Sequence, residues 1–231
     1  RDIAKKLLGG TGEEHKDYWD DYVYPEKGMG TVFENMAECV NNSSGEVILS
    51  SSLSRVWSDG QKVTKISVEN EDGNETEYSC DALINTIPLT YLASALDAGN
   101  SSIRIESAHD LKYRGLILIN IVFKKSQIMP YDWVYLLDPV FKCNRFTEQK
   151  NMGGKMIPKD KTILCFELSA NPGDTFWESD DELLFKVALS DIEKIDFFNE
   201  SDIETFHISR MSEAYPMYDL NFNKQLENVI E

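Results

Sequence analysis

Histidine and cysteine are scarce in this sequence, and neither is arranged as a metal site requires. The 231 residues include three histidines and four cysteines. The cysteines form no C-x-x-C pair and the histidines have no ligand spacing, so the sequence supports neither a metal cluster nor a disulfide framework. We therefore expect no bound metal, and reduced thiols of the kind found in cytoplasmic proteins.

Long apolar runs and basic stripes are also missing. No apolar run is long enough to cross a bilayer, so we expect no transmembrane segment, and no secretory signal opens the chain. The formal net charge is −17, which repels phosphate backbones and makes nucleic acid an unexpected partner. A small anionic substrate would need a few locally placed arginines. The oligomeric state stays open.

Signatures of nucleophilic enzymes and phosphate loops do not occur either. The sequence has no G-x-S-x-G motif and no P-loop. We expect exposed or structural roles for His15, His109 and His207. The acidic run 180–182 fits the start of a helix. Composition and motifs therefore indicate no catalytic residue.

The stretch Y-P-E-K-G-M-G at 24–30 is the most informative local pattern. Its glycines permit a tight turn or a close approach to a ligand, and Thr31 with Glu34 has the form of a capping box. Amides at the helix start suit a phosphorylated cofactor, while a plain turn is the alternative. The helix should pack one apolar face inward, formed by Val32, Phe33, Met36, Ala37 and Val40.

Alternating segments after this helix predict an α+β fold in two parts. Asp-Gly turns join the first group of strands into a small meander. A helix over 89–98 ends that part, and a helix over 182–195 packs with the second group. The predicted strands lie at 46–49, 53–57, 63–69, 75–78 and 82–85, then at 113–123, 133–137, 143–147, 163–168 and 204–211. The domain boundary is placed between residues 98 and 99.

Tyr135 and Arg145 stand on two of these segments, ten residues apart. If the segments are neighbouring strands, the two side chains face the same side of the sheet. A phenol and a guanidinium there would donate hydrogen bonds to a phosphate or carboxylate. The alternative is a tyrosine at the sheet rim and a surface arginine paired with an acid.

Several motifs together resemble the flavin amine oxidase and protoporphyrinogen oxidase superfamily. The first half shows the 24–30 loop and its helix, V-I-L at 47–49, L-S-R-V at 53–56, D-G at 59–60 and D-A-L-I-N-T-I-P at 81–88, in that order. The second half resembles the UDP-galactopyranose-mutase-like branch. Its motifs are L-K-Y-R at 111–114, W-V-Y at 133–135, N-R at 144–145, G-D-x-x-W at 173–177 and A-Y-P-M-Y-D at 214–219.

The resemblance implies an FAD enzyme with two domains. Residues 1–98 would form a helix and β-meander piece of the FAD-binding domain, and residues 99–231 a substrate-binding domain with a mixed sheet and helices. The chain starts at Arg1 rather than methionine and shows neither G-x-G-x-x-G nor G-R-x-G. We therefore expect an interior piece of a longer enzyme, which alone neither holds FAD tightly nor turns over.

The resemblance also implies roles for single residues. Tyr135 and Arg145 would bind the substrate diphosphate, and Tyr215 would line the same pocket. The loop differs from the family in having Glu26-Lys27 where Lys-Gly is commoner. The positions that match cofactor contacts are Gly28, Met29, Gly30, Leu53, Thr86 and Pro88.

Three functional hypotheses remain from the sequence. The first is a flavin-dependent enzyme resembling UDP-galactopyranose mutase that acts on a nucleotide sugar. The second is an FAD-dependent oxidoreductase of the amine oxidase or protoporphyrinogen oxidase kind. The third is a binding module that keeps the fold without the flavin.

Overall fold

The structure is a computed structural model that describes residues 23–96, 108, 110–153, 155–195 and 199–230. His15, His109 and the predicted domain boundary lie outside these residues. The helices are α1 (Gly30–Asn42), α2 (Leu89–Ala95), α3 (Gln149–Met152), α4 (Asp181–Glu193) and α5 (Phe222–Ile230). The strands are β1 (Ser51–Ser58), β2 (Val63–Asn70), β3 (Glu75–Ser79), β4 (Tyr113–Phe123), β5 (Trp133–Tyr135), β6 (Arg145–Glu148), β7 (Thr162–Ser169) and β8 (Ile203–Pro216). The predicted α+β class is confirmed.

The first three strands form the predicted meander. The sheet order is β1-β2-β3, and both pairings are antiparallel. Gly60 and Gly73 in the connecting turns adopt φ angles of 93° and 78°, a region that glycine enters without steric cost. Helix α2 follows this sheet, and a bridge between Val56 and Leu96 ties its C-terminal end to β1.

The second sheet has five strands in the order β5-β6-β7-β4-β8. All four pairings between these strands are antiparallel, whereas the family resemblance implied a mixed sheet. Strands β5, β6 and β7 are consecutive neighbours, whereas β4 pairs with β7 and β8 across longer connections. The long strand β4 lies between β7 and β8.

The two faces of the second sheet differ in burial. On one face of β4, alternate residues are fully buried beneath α4. The intervening residues Leu118, Asn120 and Val122 keep partial exposure on the other face, which we call the open face. Strand alternation thus sends the apolar set to the helix-covered side. The buried set comprises Ile117, Ile119, Ile121 and Phe123 of β4 with Leu184, Ala188 and Ile192 of α4.

Two fully buried carboxylates hold the loops around this sheet. Glu148 accepts hydrogen bonds from the amides of Ile128 and Met129 at 2.9 and 2.7 Å and from the Thr162 hydroxyl at 2.7 Å. Asp191 accepts hydrogen bonds from the backbone amides of residues 142 and 143 and so holds the 138–144 turn. A buried carboxylate is tolerated where several donors replace its water.

Two predicted strands are not strands. Residues 46–49 and 82–85 have no strand partner in the structure. Leu49 and Ile84 are 79% and 89% exposed. Apolar β-branched residues favour an extended chain, but a strand also needs a neighbour to pair with.

Helix α1 forms where predicted but differs in its cap and its packing. It begins at Gly30, and the Thr31 hydroxyl donates to the Gly28 carbonyl at 2.7 Å instead of capping the helix. The capping-box prediction is therefore wrong. No residue of α1 is buried, and Phe33 and Met36 are 64% and 60% exposed, so the predicted inward packing is absent within the described residues.

No helix among the described residues is both long and apolar enough to cross a membrane.

The buried Glu148 gives a stability prediction. We expect Glu148→Ala to lower the free energy of unfolding by about 3 kcal/mol, because it leaves three buried donors unpaired. Glu148→Gln should also destabilise, because its amide NH2 meets donors where the carboxylate accepted. Urea unfolding followed by circular dichroism measures both changes.

Glu71→Ala is the control, because Glu71 is exposed in a turn. It should change the free energy of unfolding by less than about 0.5 kcal/mol. Equal effects of Glu148→Ala and Glu71→Ala would show that the buried carboxylate does not hold the loops.

Candidate functional site

The open face brings Tyr135, Arg145 and Glu167 into one row. Tyr135 lies opposite Arg145 across β5 and β6, and Arg145 lies opposite Glu167 across β6 and β7. The predicted strand pairing is confirmed. Residues directly opposite on neighbouring strands project to the same face, so the three side chains form a contiguous group.

Arg145 is held between its two neighbours. Its Nε and Nη2 atoms both donate to Glu167 Oε1, at 3.0 and 2.5 Å. Its guanidinium carbon lies 5.6 Å from the centre of the Tyr135 ring, within cation–π distance. The hydrogen bond to Glu167 raises the pKa of Arg145, so the group stays charged. Both structural alternatives are therefore present together. Tyr135 and Arg145 share one face of the sheet, and Arg145 is also paired with an acid, Glu167.

Glu167 was not predicted, although the sequence carries a signal for it. It is the one charged residue inside the apolar strand β7. A charged residue in such a strand usually has a partner. The identity of that partner depends on the β6–β7 pairing, which joins residues 22 positions apart.

The adjacent row of the open face carries Thr147, Cys165, Asn120 and His207. His207 Nε2 lies 3.3 Å from the Ser209 hydroxyl and is exposed, as expected for a histidine without a catalytic partner. Burial raises the pKa of the Cys165 thiol to about 12, and the Glu167 charge adds to the effect. Among the described residues, no three His, Cys, Asp or Glu side chains converge as a metal site requires.

Tyr215 lies farther away than the sequence suggested. It stands on β8 opposite Arg114 and is 53% exposed. Strand β8 is three strands from β6, so the lateral separation from Arg145 is at least roughly 14 Å at the usual strand spacing. A single ligand would have to be extended to touch both residues.

The glycine loop separates into a packed part and an open part. Gly28 is buried at φ 90°, and a side chain there would collide with the Met156 sulfur. Gly30 has no heavy atom within 4 Å of where its Cβ would lie, and Met29 is 45% exposed. A ligand can therefore approach Met29 and Gly30, whereas the positive φ angle, together with the Met156 contact, accounts for the glycine at position 28.

The other predicted cofactor positions lie in the first half of the structure. Leu53 is half-buried on β1 opposite Val68, and Pro88 precedes α2. Thr86 is exposed in the segment between β3 and α2. These positions contact only neighbouring parts of the chain, and none of these contacts tests cofactor binding. The cofactor role of Leu53, Thr86 and Pro88 therefore stays a prediction.

A second polar cluster joins the two halves and was not predicted. The Tyr91 hydroxyl of α2 donates to Glu213 Oε1 of β8 at 2.9 Å. This bond raises the pKa of Tyr91. The two residues are 122 positions apart, so no local pattern could have indicated the contact. They border a cavity of about 310 Å³ between α2 and the ends of β4 and β8.

Comparison with known proteins identifies the family. The family model described as "Flavin containing amine oxidoreductase" matches residues 4–224. The chain belongs to this family. Protoporphyrinogen oxidase from Dictyostelium discoideum is 21% identical over 257 aligned positions, which cover 98% of this chain and 47% of that protein. The chain thus spans about half the length of the curated relative that it matches.

Solved structures share its fold. Reduced UDP-galactopyranose mutase matches with a TM-score of 0.72 at 17% identity, over 89% of this chain and 43% of that chain. An oxidoreductase from Methanosarcina mazei matches with a TM-score of 0.66 at 14% identity, over 83% and 44%. The match to the family model confirms the predicted flavin amine oxidase superfamily.

Burial of the Cys165 thiol gives a prediction about reactivity. At pH 8, a pKa of about 12 leaves only about one thiolate in 10⁴, and burial blocks access. We expect a disulfide reagent such as DTNB to modify the exposed Cys39 rapidly and Cys165 only after unfolding. Peptide mapping of partly labelled protein identifies the sites.

The Cys39→Ser variant should lose the labelling of that site, keep labelling of the partly exposed Cys80 and keep the slow labelling of Cys165. Labelling of Cys165 in folded protein at the rate of Cys39 would show that this part of the open face admits solvent and carries a reactive thiol.

Proposed function

We propose that this chain is the substrate-binding interior of a flavin-dependent enzyme that acts on a nucleotide sugar, as UDP-galactopyranose mutase does. Membership of the flavin amine oxidoreductase family supports a flavoenzyme. The structural likeness to the mutase supports the choice of substrate class. Because the chain spans less than half of these relatives, both the activity and the substrate are proposals for the whole protein.

The observation that carries the proposal is the Tyr135–Arg145 pair on the open face. A guanidinium and a phenol present several hydrogen-bond donors, and an arginine fork suits phosphate oxygens. Glu167 takes two donors of Arg145 on one oxygen and so fixes the direction of the fork. In the proposed complex, Arg145 and Tyr135 bind the diphosphate, and Tyr215 contacts the far end of an extended ligand.

For the cofactor, we propose contacts at Met29 and Gly30, where the loop is open, and at Leu53, Thr86 and Pro88. Residues 1–98 would then belong to the FAD-binding domain and residues 99–231 to the substrate domain. The separate sheets of the two parts support this division. A bound flavin would supply electron-pair chemistry that amino-acid side chains lack. The described residues contribute positioning and charge.

Affinity for UDP tests the role of the pair. We expect Arg145→Ala to weaken UDP binding by roughly 10- to 100-fold, because a charged hydrogen-bond donor is lost. Arg145→Lys keeps the charge without the fork and should fall in between. Isothermal titration of UDP into the full-length protein measures the three dissociation constants.

Glu167→Gln tests the same site with the opposite expected change in UDP affinity. It removes the negative charge that offsets Arg145, so we expect UDP to bind several-fold more tightly at low ionic strength. Arg55→Ala, which changes an exposed arginine on β1, serves as the control and should leave binding unchanged. Equal UDP affinity in wild type and Arg145→Ala would remove Arg145 from the role.

A second candidate is an FAD-dependent oxidoreductase of the protoporphyrinogen oxidase kind. The curated relative with that name aligns with nearly the whole chain. This candidate implies that an amine or a porphyrinogen ring passes hydride to the flavin without UDP affinity. Anaerobic mixing of the full-length protein with each substrate, followed by flavin absorbance, distinguishes the two. A colourless protein with no flavin would instead favour a binding module.

A further inference from the structure

A cluster of lysines surrounds one cavity of this acidic protein. The cavity measures about 920 Å³, and Lys27, Lys155 and Lys159 contribute to its lining. No carboxylate belongs to the lining among the described residues, although the chain carries a net charge of −17. A local excess of ammonium groups in such a chain favours an anionic ligand.

The floor of the cavity is apolar. The remaining lining residues are Met156, Ile157 and Pro158. Ile157 is 8% exposed and Met156 is 41% exposed, so part of the methionine faces the space above it. Ligand cavities combine an apolar surface with a few placed polar groups, and this one combines it with three cations.

The 155–159 loop, which forms most of the cavity lining, is held in place by the Lys150 side chain. The Lys150 ammonium donates to the carbonyl oxygens of Pro158, Lys159 and Lys161 at 2.8, 2.8 and 2.6 Å. These three bonds use the whole donor capacity of one ammonium. The backbone that carries Lys159 is therefore fixed before any ligand binds.

The second wall of the cavity is the glycine loop. Buried Gly28 packs against the Met156 sulfur, and a Cβ on Gly153 would lie 3.1 Å from the Pro25 carbonyl oxygen. Lys155 also forms an ion pair with Glu26. The two loops are thus in close contact, which places Lys27 beside the lysines of the 155–159 loop.

The rim of the cavity carries more positive than negative charge. Glu26 offsets Lys155, and both are mostly exposed, at 69% and 64%. Lys27 and Lys159 form no ion pair within the described residues. Two ammonium groups therefore remain for a ligand.

We propose that this cavity binds a small amphipathic dianion, with an apolar body on the 156–158 floor and two carboxylate or phosphate groups at Lys27 and Lys159. The site is separate from the Tyr135–Arg145 pair and does not rest on the function proposed above. Its ligand differs from a bare phosphate, which would gain nothing from the apolar floor.

Three probes that separate the apolar body from the charge test the proposal in the full-length protein. Naphthalene-2,6-dicarboxylate has the apolar body and both charges, 2,6-naphthalenedimethanol has the body alone, and inorganic pyrophosphate has charge alone. Equilibrium dialysis at 50 mM salt gives each affinity. We expect the dicarboxylate to bind most tightly, and about tenfold more weakly at 500 mM salt.

Variants assign the binding to the cavity. Lys27→Gln with Lys155→Gln and Lys159→Gln should weaken dicarboxylate binding at least about tenfold, since three rim charges are lost. The matched control changes Lys62, Lys142 and Lys224 to Gln, removes the same charge from exposed positions elsewhere and should have little effect. Circular dichroism checks folding, and the single Lys159→Gln variant replaces the triple one if that fails to fold.

Each contrary result overturns a defined part of the proposal. Equal binding of the diol excludes an anion site, and equal binding of pyrophosphate excludes the apolar floor. Equal loss in the control triple assigns the effect to overall charge. No dicarboxylate binding at millimolar concentration overturns the site altogether. Arg145→Ala should leave dicarboxylate binding unchanged, which keeps this test independent of the UDP experiment.

Discussion

Within the described residues, α4 packs on one face of the five-stranded sheet, and the candidate site lies on the other face. Antiparallel strands that alternate apolar and polar residues can bury one face and present the other. Here Ile117, Ile119 and Ile121 of β4 are fully buried in one core with Leu184 and Ala188 of α4. The same alternation places Arg145 and Glu167 opposite each other on the open face. The order of the polar row is thus a consequence of how the apolar core packs.

Elements defined by local chemistry could be predicted from the sequence. The Asp-Gly turns and alternating segments predicted β1, β2 and β3, and the short connection between 137 and 143 predicted the pairing of Tyr135 with Arg145. The segments 46–49 and 82–85 were wrongly predicted as strands, because composition favours an extended chain but cannot supply a neighbouring strand. The capping box failed because Thr31 lies inside the helix, where its hydroxyl bonds back to a carbonyl.

Contacts between distant positions could not be predicted in the same way. Glu148 and Asp191 look like ordinary acids in the sequence, yet each is fully buried and satisfies the amides of another loop. The partner of Tyr91 lies 122 residues away. Such pairings depend on the sheet order, and a single sequence contains no local signal for that order. The lysine cavity has the same origin, because it forms only when the glycine loop meets the 155–159 loop.

Strand β8 lies at one end of the second sheet and runs for fourteen residues, whereas β5 at the other end has three. Among the described residues, no strand pairs with the outer edge of β8, and such an edge exposes backbone groups on which a strand from another molecule could add. Arg114 pairs with Tyr215 and Leu116 pairs with Met211, so β8 has two more residues than β4 between these pairs. Such a bulge bends the strand and interrupts the regular row of backbone groups along its edge. The strong negative charge of the chain adds mutual repulsion between copies. The irregular hydrogen-bond register of β8 therefore makes this edge a poorer template for the addition of another strand.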